Sequence, residues 1–232
     1  MGLSVTEHIQ ELSARLAKLD VADVADQFDR FGLVPPVLAR ELHHIGVNKK
    51  FCGPAFCISG HKLNTNGWLA MPTDPDALYD SLDERVPAGS VLLYATSGYD
   101  DCAVFGGATG ISLKQRGVIG VIVDGAVRDV HELRGTGLPV LARAISAIRF
   151  NGRFAVTAVD AAIELRGLAG LVQAMTGDLV LCDADGAIVV PGGLAQHVIE
   201  ATERAAAVSA RMKAEVMRGV PRIAVTRKYK PD

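Results

Sequence analysis

A run of six apolar residues most restricts the fold of this chain: positions 118–123 read Val-Ile-Gly-Val-Ile-Val. A strand with one face in water alternates apolar and polar residues, so this run predicts a strand buried on both faces. Further strands are predicted at 90–95 and 140–142, with helices at 104–116 and 130–134 between them. Strands that alternate with helices in this way are typical of an α/β protein with a largely parallel sheet.

The segments around this centre are predicted from shorter patterns. Alternating or apolar runs bounded by glycine and proline predict strands at 51–63, 154–159, 179–182 and 187–190. A turn at 71–75 is expected to lead into a helix that starts at 77–79. The predicted fold class is therefore α/β, a layered sheet with helices on both sides.

Helical periodicity marks both ends of the chain. Apolar residues at 4–31 recur at helical spacing and predict two short helices, with Ser4 and Asp20 as N-caps. One long amphipathic helix is predicted at 194–217, and the basic residues 222–232 are expected to be loosely held. We therefore predict a single domain over 1–232, made of the N-terminal helices, an α/β core at 51–191 and the C-terminal helix.

Composition restricts the partners and the cellular compartment. The 24 Lys and Arg residues nearly balance the 26 Asp and Glu residues, so the net charge of −2 argues against a nucleic-acid partner. No apolar stretch approaches the roughly 20 residues of a membrane span, and the first residues do not resemble a signal peptide, so a cytoplasmic protein is expected. Four scattered cysteines without a Cys-x-x-Cys pair are expected to be reduced core residues: Cys52, Cys57, Cys102 and Cys182.

The strongest candidate for chemistry is the pair Arg128 and Asp129, which follows the buried strand by a few residues. Ligands of parallel α/β sheets usually bind at loops that leave the carboxyl ends of strands. A carboxylate such as that of Asp129 can hold a hard cation, most naturally Mg²⁺ or Mn²⁺. The guanidinium of Arg128 offers paired donors to a carboxylate or an enolate. The alternative reading is that the pair only caps the helix that follows.

A glycine cluster lies upstream, where Gly106-Gly107-Ala108-Thr109-Gly110 is predicted to enter a helix. Glycines at a helix entrance let an anion approach free backbone N–H groups at the positive end of the helix dipole. We therefore predict that Gly107, Ala108 and Thr109 bind a substrate carboxylate. The spacing matches neither a Walker loop nor a dinucleotide fingerprint, so a plain turn is the alternative.

These motifs together resemble the signature of the RraA-like family. The central match is the run 117–129, which ends in Asp-Gly-Ala-Val-Arg-Asp and is followed by Glu132-Leu133 and by Gly-Leu-Pro-Val at 137–140. Supporting matches lie at 22–26, at 53–55 and across 177–191, so the resemblance covers most of the chain in order. It implies a swivelling-domain α/β fold and a homotrimer or homohexamer.

The family includes metal-dependent 4-hydroxy-4-methyl-2-oxoglutarate and 4-carboxy-4-hydroxy-2-oxoadipate aldolases, which also decarboxylate oxaloacetate. The resemblance implies that Arg128 is the catalytic and pyruvate-binding guanidinium and that Asp129 is the Mg²⁺ or Mn²⁺ ligand. It predicts a carbon–carbon lyase that cleaves a 4-hydroxy-2-oxo di- or tricarboxylic acid to pyruvate through an enolate. Two alternatives stay open: an enzyme that only decarboxylates oxaloacetate-like acids, and a non-catalytic regulator of ribonuclease activity.

One position departs from the family pattern. Many relatives carry an acidic residue directly after the glycine that corresponds to Gly106, and that acid takes part in proton transfer, whereas this chain has Gly107. The base for retro-aldol cleavage is therefore unidentified; Asp100 or Asp101 could substitute, and the alternative for that pair is a solvated surface position. A Schiff base on Lys62 or Lys114 would require a desolvated lysine, which nothing in the surrounding sequence indicates.

Overall fold

The computed structural model describes residues 4–63 and 77–229. Eight helices in these ranges are α1 (Val5–Leu16), α2 (Val21–Arg30), α3 (Ala77–Asp80), α4 (Leu82–Arg85), α5 (Gly107–Gln115), α6 (Val130–Gly135), α7 (Gly192–Met217) and α8 (Arg222–Tyr229). The strands there are β1 (His43–His44), β2 (Phe51–Lys62), β3 (Val91–Ala95), β4 (Ala103–Phe105), β5 (Gly120–Val127), β6 (Val140–Ile145), β7 (Phe154–Val159), β8 (Ile163–Gly167), β9 (Gly170–Ala174), β10 (Leu179–Asp183) and β11 (Gly186–Val190).

One large mixed sheet organises the molecule. Its strand order is β1-β6-β5-β3-β2-β10-β11, with β4 paired to β5 and β7 paired to β2. The centre is parallel, because β2, β3, β5 and β6 run in the same direction, whereas β1, β7, β10 and β11 are antiparallel to their neighbours. The predicted α/β class is confirmed, and its parallel part is the α/β repeat that the alternating pattern indicated.

The two faces of the sheet are covered by different elements. On one face, residues such as Val121 and Val123 pack with Leu113 of α5 and Leu133 of α6. On the opposite face, Ile122 packs in a separate cluster with apolar side chains of the β8–β9 hairpin. Helices were predicted for both faces, but here the second face of the parallel strands is closed by this two-stranded sheet.

A third apolar cluster lies between the two ends of the chain and the sheet. Side chains of α1 and α2 pack with α7 and with β10 and β11, all in one buried group. At the start of α1, the Ser4 side chain accepts from the Glu7 N–H and Glu7 accepts from the Ser4 N–H. This capping box confirms Ser4 as an N-cap. Asp20 occupies the N-cap position of α2, but its side chain makes no capping hydrogen bond.

Several predicted boundaries were wrong. The helix predicted at 104–116 is a short strand, β4, followed by α5. Strand β5 continues to Val127, because the carboxylate of Asp124 is neutralised inside the protein by Arg143 and so does not end the strand. The basic tail forms α8, which buries Val225 and bonds Lys228 to Glu215. The turn predicted at 71–75 lies outside the described residues.

The cysteines are reduced, as predicted. All four are free thiols; Cys57, Cys102 and Cys182 are buried, and Cys52 is half-buried. Burial raises the pKa of Cys57 and of Cys182 to about 12, so both thiols stay protonated at neutral pH. In the part of the chain that the structure describes, no helix is long and apolar enough to cross a membrane.

Candidate active site

Two loops meet at one edge of the parallel sheet. Strand β4 ends at Phe105 and leads into α5, while its parallel neighbour β5 ends at Val127 and leads into α6. The Arg128 N–H donates to the Phe105 carbonyl at 3.0 Å, which joins the two loops directly beyond the last paired residues. The glycine cluster and the Arg-Asp pair are therefore neighbours in space, as their positions after predicted strands indicated.

Asp129 has an unusual backbone and points away from its own helix. Its φ of 56° and ψ of 42° lie in the left-handed region, which few residues other than glycine adopt. Asp129 occupies the N-cap position of α6, yet its side chain makes no capping hydrogen bond there. Instead, Oδ2 accepts from the Gly107 N–H at 3.1 Å, at the first turn of α5. The alternative that Asp129 merely caps the following helix is therefore not what the structure shows.

Arg128 and Asp129 approach each other at the surface of this loop. The Arg128 Nε lies 3.3 Å from the Asp129 Oδ2, and both side chains are partly exposed, at 42% and 37%. Gly106 makes room for them, since a Cβ at that position would lie 2.8 Å from the Asp129 Oδ2 and 3.2 Å from the Arg128 Cγ. The missing side chain at Gly106 keeps the carboxylate and the guanidinium open to a ligand.

A cavity of about 140 Å³ opens beside this pair, and Arg128, Asp129, Ala108 and Thr109 contribute to its lining. Its aromatic wall comes from distant parts of the chain: the rings of Tyr79 and Phe150 lie 4.9 Å apart between centroids. The Tyr79 hydroxyl and the Thr109 hydroxyl are hydrogen-bonded at 2.8 Å. Burial raises the pKa of Tyr79 to about 12, so its hydroxyl is neutral and can donate at neutral pH.

The cavity carries an excess of positive charge. Besides Arg128, it is lined by Arg149, whereas Asp129 is the single carboxylate among its described lining residues. Among the described residues, no carboxylate forms an ion pair with Arg149. Two guanidinium groups against one carboxylate favour an anionic ligand.

The other predicted site residues have distinct positions. Ala108 and Thr109 line the cavity from the first turn of α5, where backbone N–H groups lack a partner inside the helix. The Gly107 N–H, by contrast, is already donated to Asp129. The sequence did not single out Tyr79, Arg149 or Phe150, since none of them belongs to a motif and only the tertiary fold brings them to the cavity.

The remaining candidates lie elsewhere. Lys62 pairs with Asp101 at 3.5 Å, with both side chains more than half exposed, and Lys114 is also exposed. Neither lysine lines the cavity, which leaves the Schiff-base route without structural support. Within 4–63 and 77–229, no group of three or more His, Cys, Asp or Glu side chains is arranged to hold a metal ion.

Comparison with known protein sequences gives a consistent picture. Residues 21–189 match the sequence model of a family described as RraA-like, Aldolase/RraA. A protein of Albidiferax ferrireducens named "Putative 4-hydroxy-4-methyl-2-oxoglutarate aldolase" is 29% identical over 164 residues, which cover 71% of this chain and 87% of that protein. Protein DlpA of Legionella pneumophila is 24% identical over 220 residues, 94% of this chain, but the chain spans only 34% of DlpA.

The fold is also similar to that of a solved structure. RraAS2 of Streptomyces coelicolor, described as an unusual member of the RNase ES inhibitor RraA protein family, superposes with a TM-score of 0.70. Its sequence is 25% identical, and the superposition covers 90% of this chain and 96% of that chain. The similarity therefore extends over nearly the whole of both chains.

Proposed function

This chain belongs to the RraA-like family, and from that membership we propose that it is a carbon–carbon lyase that releases pyruvate from a 2-oxo acid with the help of a divalent cation. The substrate class is a 4-hydroxy-2-oxo di- or tricarboxylic acid, with decarboxylation of oxaloacetate as a second activity. The observation that carries this proposal is the orientation of Asp129. Its carboxylate is turned out of the helix-capping position and lies beside Arg128 at the mouth of a cationic cavity.

The residues present fit a hydrated hard cation. Mg²⁺ keeps several waters and is usually held by one or two carboxylates, so it does not require the dense ligand cluster of a zinc site. Asp129 offers a partly exposed carboxylate, and the space left by the missing side chain of Gly106 adjoins its Oδ2. We propose that Asp129 holds Mg²⁺ or Mn²⁺. When bound, the cation would supply positive charge beside the oxygen on which negative charge develops during cleavage.

The chain's own groups have separable tasks. The Arg128 guanidinium would bind the carboxylate and ketone end of the substrate and stabilise negative charge on the departing pyruvate enolate. The first-turn N–H groups of Ala108 and Thr109 would hold the substrate carboxylate at the positive end of α5. The neutral Tyr79 hydroxyl, bonded to Thr109, would orient that residue at the cavity wall.

Arg149 provides a test of the substrate class. As a second guanidinium on the cavity wall, without an ion pair to any described carboxylate, it is suited to the far carboxylate of a dicarboxylic substrate. The change Arg149→Gln is expected to raise KM for oxaloacetate by roughly 10- to 100-fold, because it removes one charge-assisted hydrogen bond worth about 1.5–3 kcal/mol. Inhibition by pyruvate, which has one carboxylate, should change by less than about twofold. Equal weakening of both ligands would contradict this role for Arg149.

The proposed activity is tested by measuring pyruvate release. The native chain is incubated with oxaloacetate or with 4-hydroxy-4-methyl-2-oxoglutarate, in the presence of Mg²⁺ or of a chelator. We expect pyruvate to be released from both acids in the presence of Mg²⁺, and we expect the chelator to abolish this release. Release from oxaloacetate alone would instead indicate a decarboxylase, and turnover of neither acid would contradict the proposal.

The competing function is that of a non-catalytic regulator. It is favoured by the fold similarity to RraAS2, which is described within a family of RNase ES inhibitors. The intact Asp129 and the cationic cavity favour the enzyme, because binding a nuclease surface requires neither. From the same family membership we propose that the chain is a cytoplasmic protein that forms a homotrimer or homohexamer. Size-exclusion chromatography with light scattering would test the oligomeric state.

A further inference from the structure

A second carboxylate lies beside Gly107. The Glu132 side chain from α6 reaches over the start of α5, and its Oε2 overlaps the position that a Cβ on residue 107 would take. The Glu132 Cβ and Cδ both lie 3.0 Å from the same position. Gly107 is buried under this contact, and its φ is not in the left-handed region, so the backbone there would accept a side chain. The exposed Glu132 side chain, rather than backbone strain, therefore occupies the space that a side chain at position 107 would take, and it would have to move to admit one.

Gly107 thus connects two acidic groups. Its N–H donates to Asp129 Oδ2, and the Glu132 carboxylate fills the space on its Cα side. Among the described residues, no cationic side chain pairs with Glu132, whereas Asp129 lies 3.3 Å from the Arg128 Nε. A carboxylate without a cationic partner, packed on the same glycine as the proposed cation ligand, is placed to act on that cation.

We propose that Glu132 is a positioning residue of the cation site: its carboxylate accepts hydrogen bonds from the water molecules of a divalent cation held by Asp129. Gly107 is the residue that admits Glu132 to this place. This inference rests on the proposed function, because it presupposes cation binding at Asp129. It identifies an acid of this site that comes from α6 and is not part of the Arg-Asp pair.

The simpler role for Glu132 is stabilisation of α5, because carboxylates near a helix N-terminus interact favourably with the helix dipole. The two roles differ in which second substitution would restore cation affinity after Glu132 is removed. If Glu132 acts through water at the cation, an aspartate at position 107 can take its place once the Glu132 side chain is removed. If Glu132 only stabilises α5 or adds general negative charge, cation affinity will follow net charge wherever that charge lies.

The test is Mn²⁺ binding, measured by the electron paramagnetic resonance signal of free Mn²⁺, which does not depend on turnover. Glu132→Gln and Glu132→Ala are expected to weaken binding by about tenfold, the lower end of the usual effect of partners outside the ligand shell. Glu84→Gln removes the same charge from an exposed site on α4 and should change affinity by less than about twofold. Thermal unfolding of each variant confirms that it is folded.

The decisive comparison is a double-variant cycle. Gly107→Asp alone should weaken binding, since the new side chain and Glu132 compete for one space. The double variant G107D/E132A should recover affinity to within about threefold of the native chain. If it binds no better than Glu132→Ala, or if Glu132→Gln binds as the native chain does, the inference is overturned.

Asp129→Asn separates this inference from the proposed function. Loss of Mn²⁺ binding in Asp129→Asn, together with native affinity in Glu132→Gln, would refute the role of Glu132 alone. Failure of the native chain to bind Mn²⁺ would refute both.

Discussion

Replacing Asp129 by asparagine is expected to lower metal-dependent pyruvate release from oxaloacetate by roughly 10²- to 10³-fold, the usual effect of removing one group that stabilises developing charge. Asparagine keeps the size of the side chain and also tolerates the left-handed backbone that this residue adopts, with φ of 56°. The Gly107 N–H can still donate to the amide oxygen. The change therefore removes charge at the proposed cation site with little change in shape.

A matched control is available at Asp101, a candidate base from the sequence that does not line the cavity and instead pairs at the surface with the exposed Lys62. Asp101→Asn should retain activity within about twofold, since exposed ion pairs contribute little. If Asp129→Asn keeps more than a tenth of the native rate while Mg²⁺ remains necessary, Asp129 is not the cation ligand. Excess Mg²⁺ should partly restore the Asp129→Asn rate if weakened binding is the cause of its loss.

Replacing Arg143 by methionine is expected to destabilise the protein by about 3–5 kcal/mol, the range for breaking a buried ion pair from one side. The Arg143 and Asp124 side chains are only 9% and 3% exposed, and Arg143 Nε donates to Asp124 Oδ1 at 3.0 Å. Asp124 Oδ2 has no hydrogen-bond partner within the described residues. Without Arg143, the carboxylate would remain buried and uncompensated.

Urea unfolding followed by circular dichroism measures this loss, and Arg15→Met supplies the control. Arg15 donates one hydrogen bond to each carboxylate oxygen of Glu203, and Arg143 donates two to the single oxygen Oδ1 of Asp124, but the Arg15 and Glu203 side chains are 27% and 39% exposed. Its loss should cost less than about 1 kcal/mol. The double variant D124L/R143M should be more stable than Arg143→Met alone, because it leaves no unpaired charge. If Arg15→Met and Arg143→Met lower the free energy of unfolding equally, burial is not the reason for the cost of losing Arg143.

Asp124 also shows where a local pattern fails. A charged residue after an apolar run predicted the end of the strand, and strand β5 instead continues through Asp124 to Val127. The information that decides this lies in Arg143 on the adjacent strand β6, 19 residues away in sequence. The β8–β9 hairpin was missed for a related reason, since its short strands become distinct only when one side packs on the sheet.

The candidate site divides in the same way. The sequence by itself determined the α/β class, the N-cap at Ser4 and the position of Arg128 and Asp129 after a buried strand, because these follow from periodicity and from neighbouring residues. Only the tertiary structure decided that Asp129 turns toward Gly107, that Arg149 faces the cavity and that Glu132 fills the space at Gly107. These are contacts between separate elements, whose distances depend on how strands and helices pack, and no pattern along a single segment encodes them.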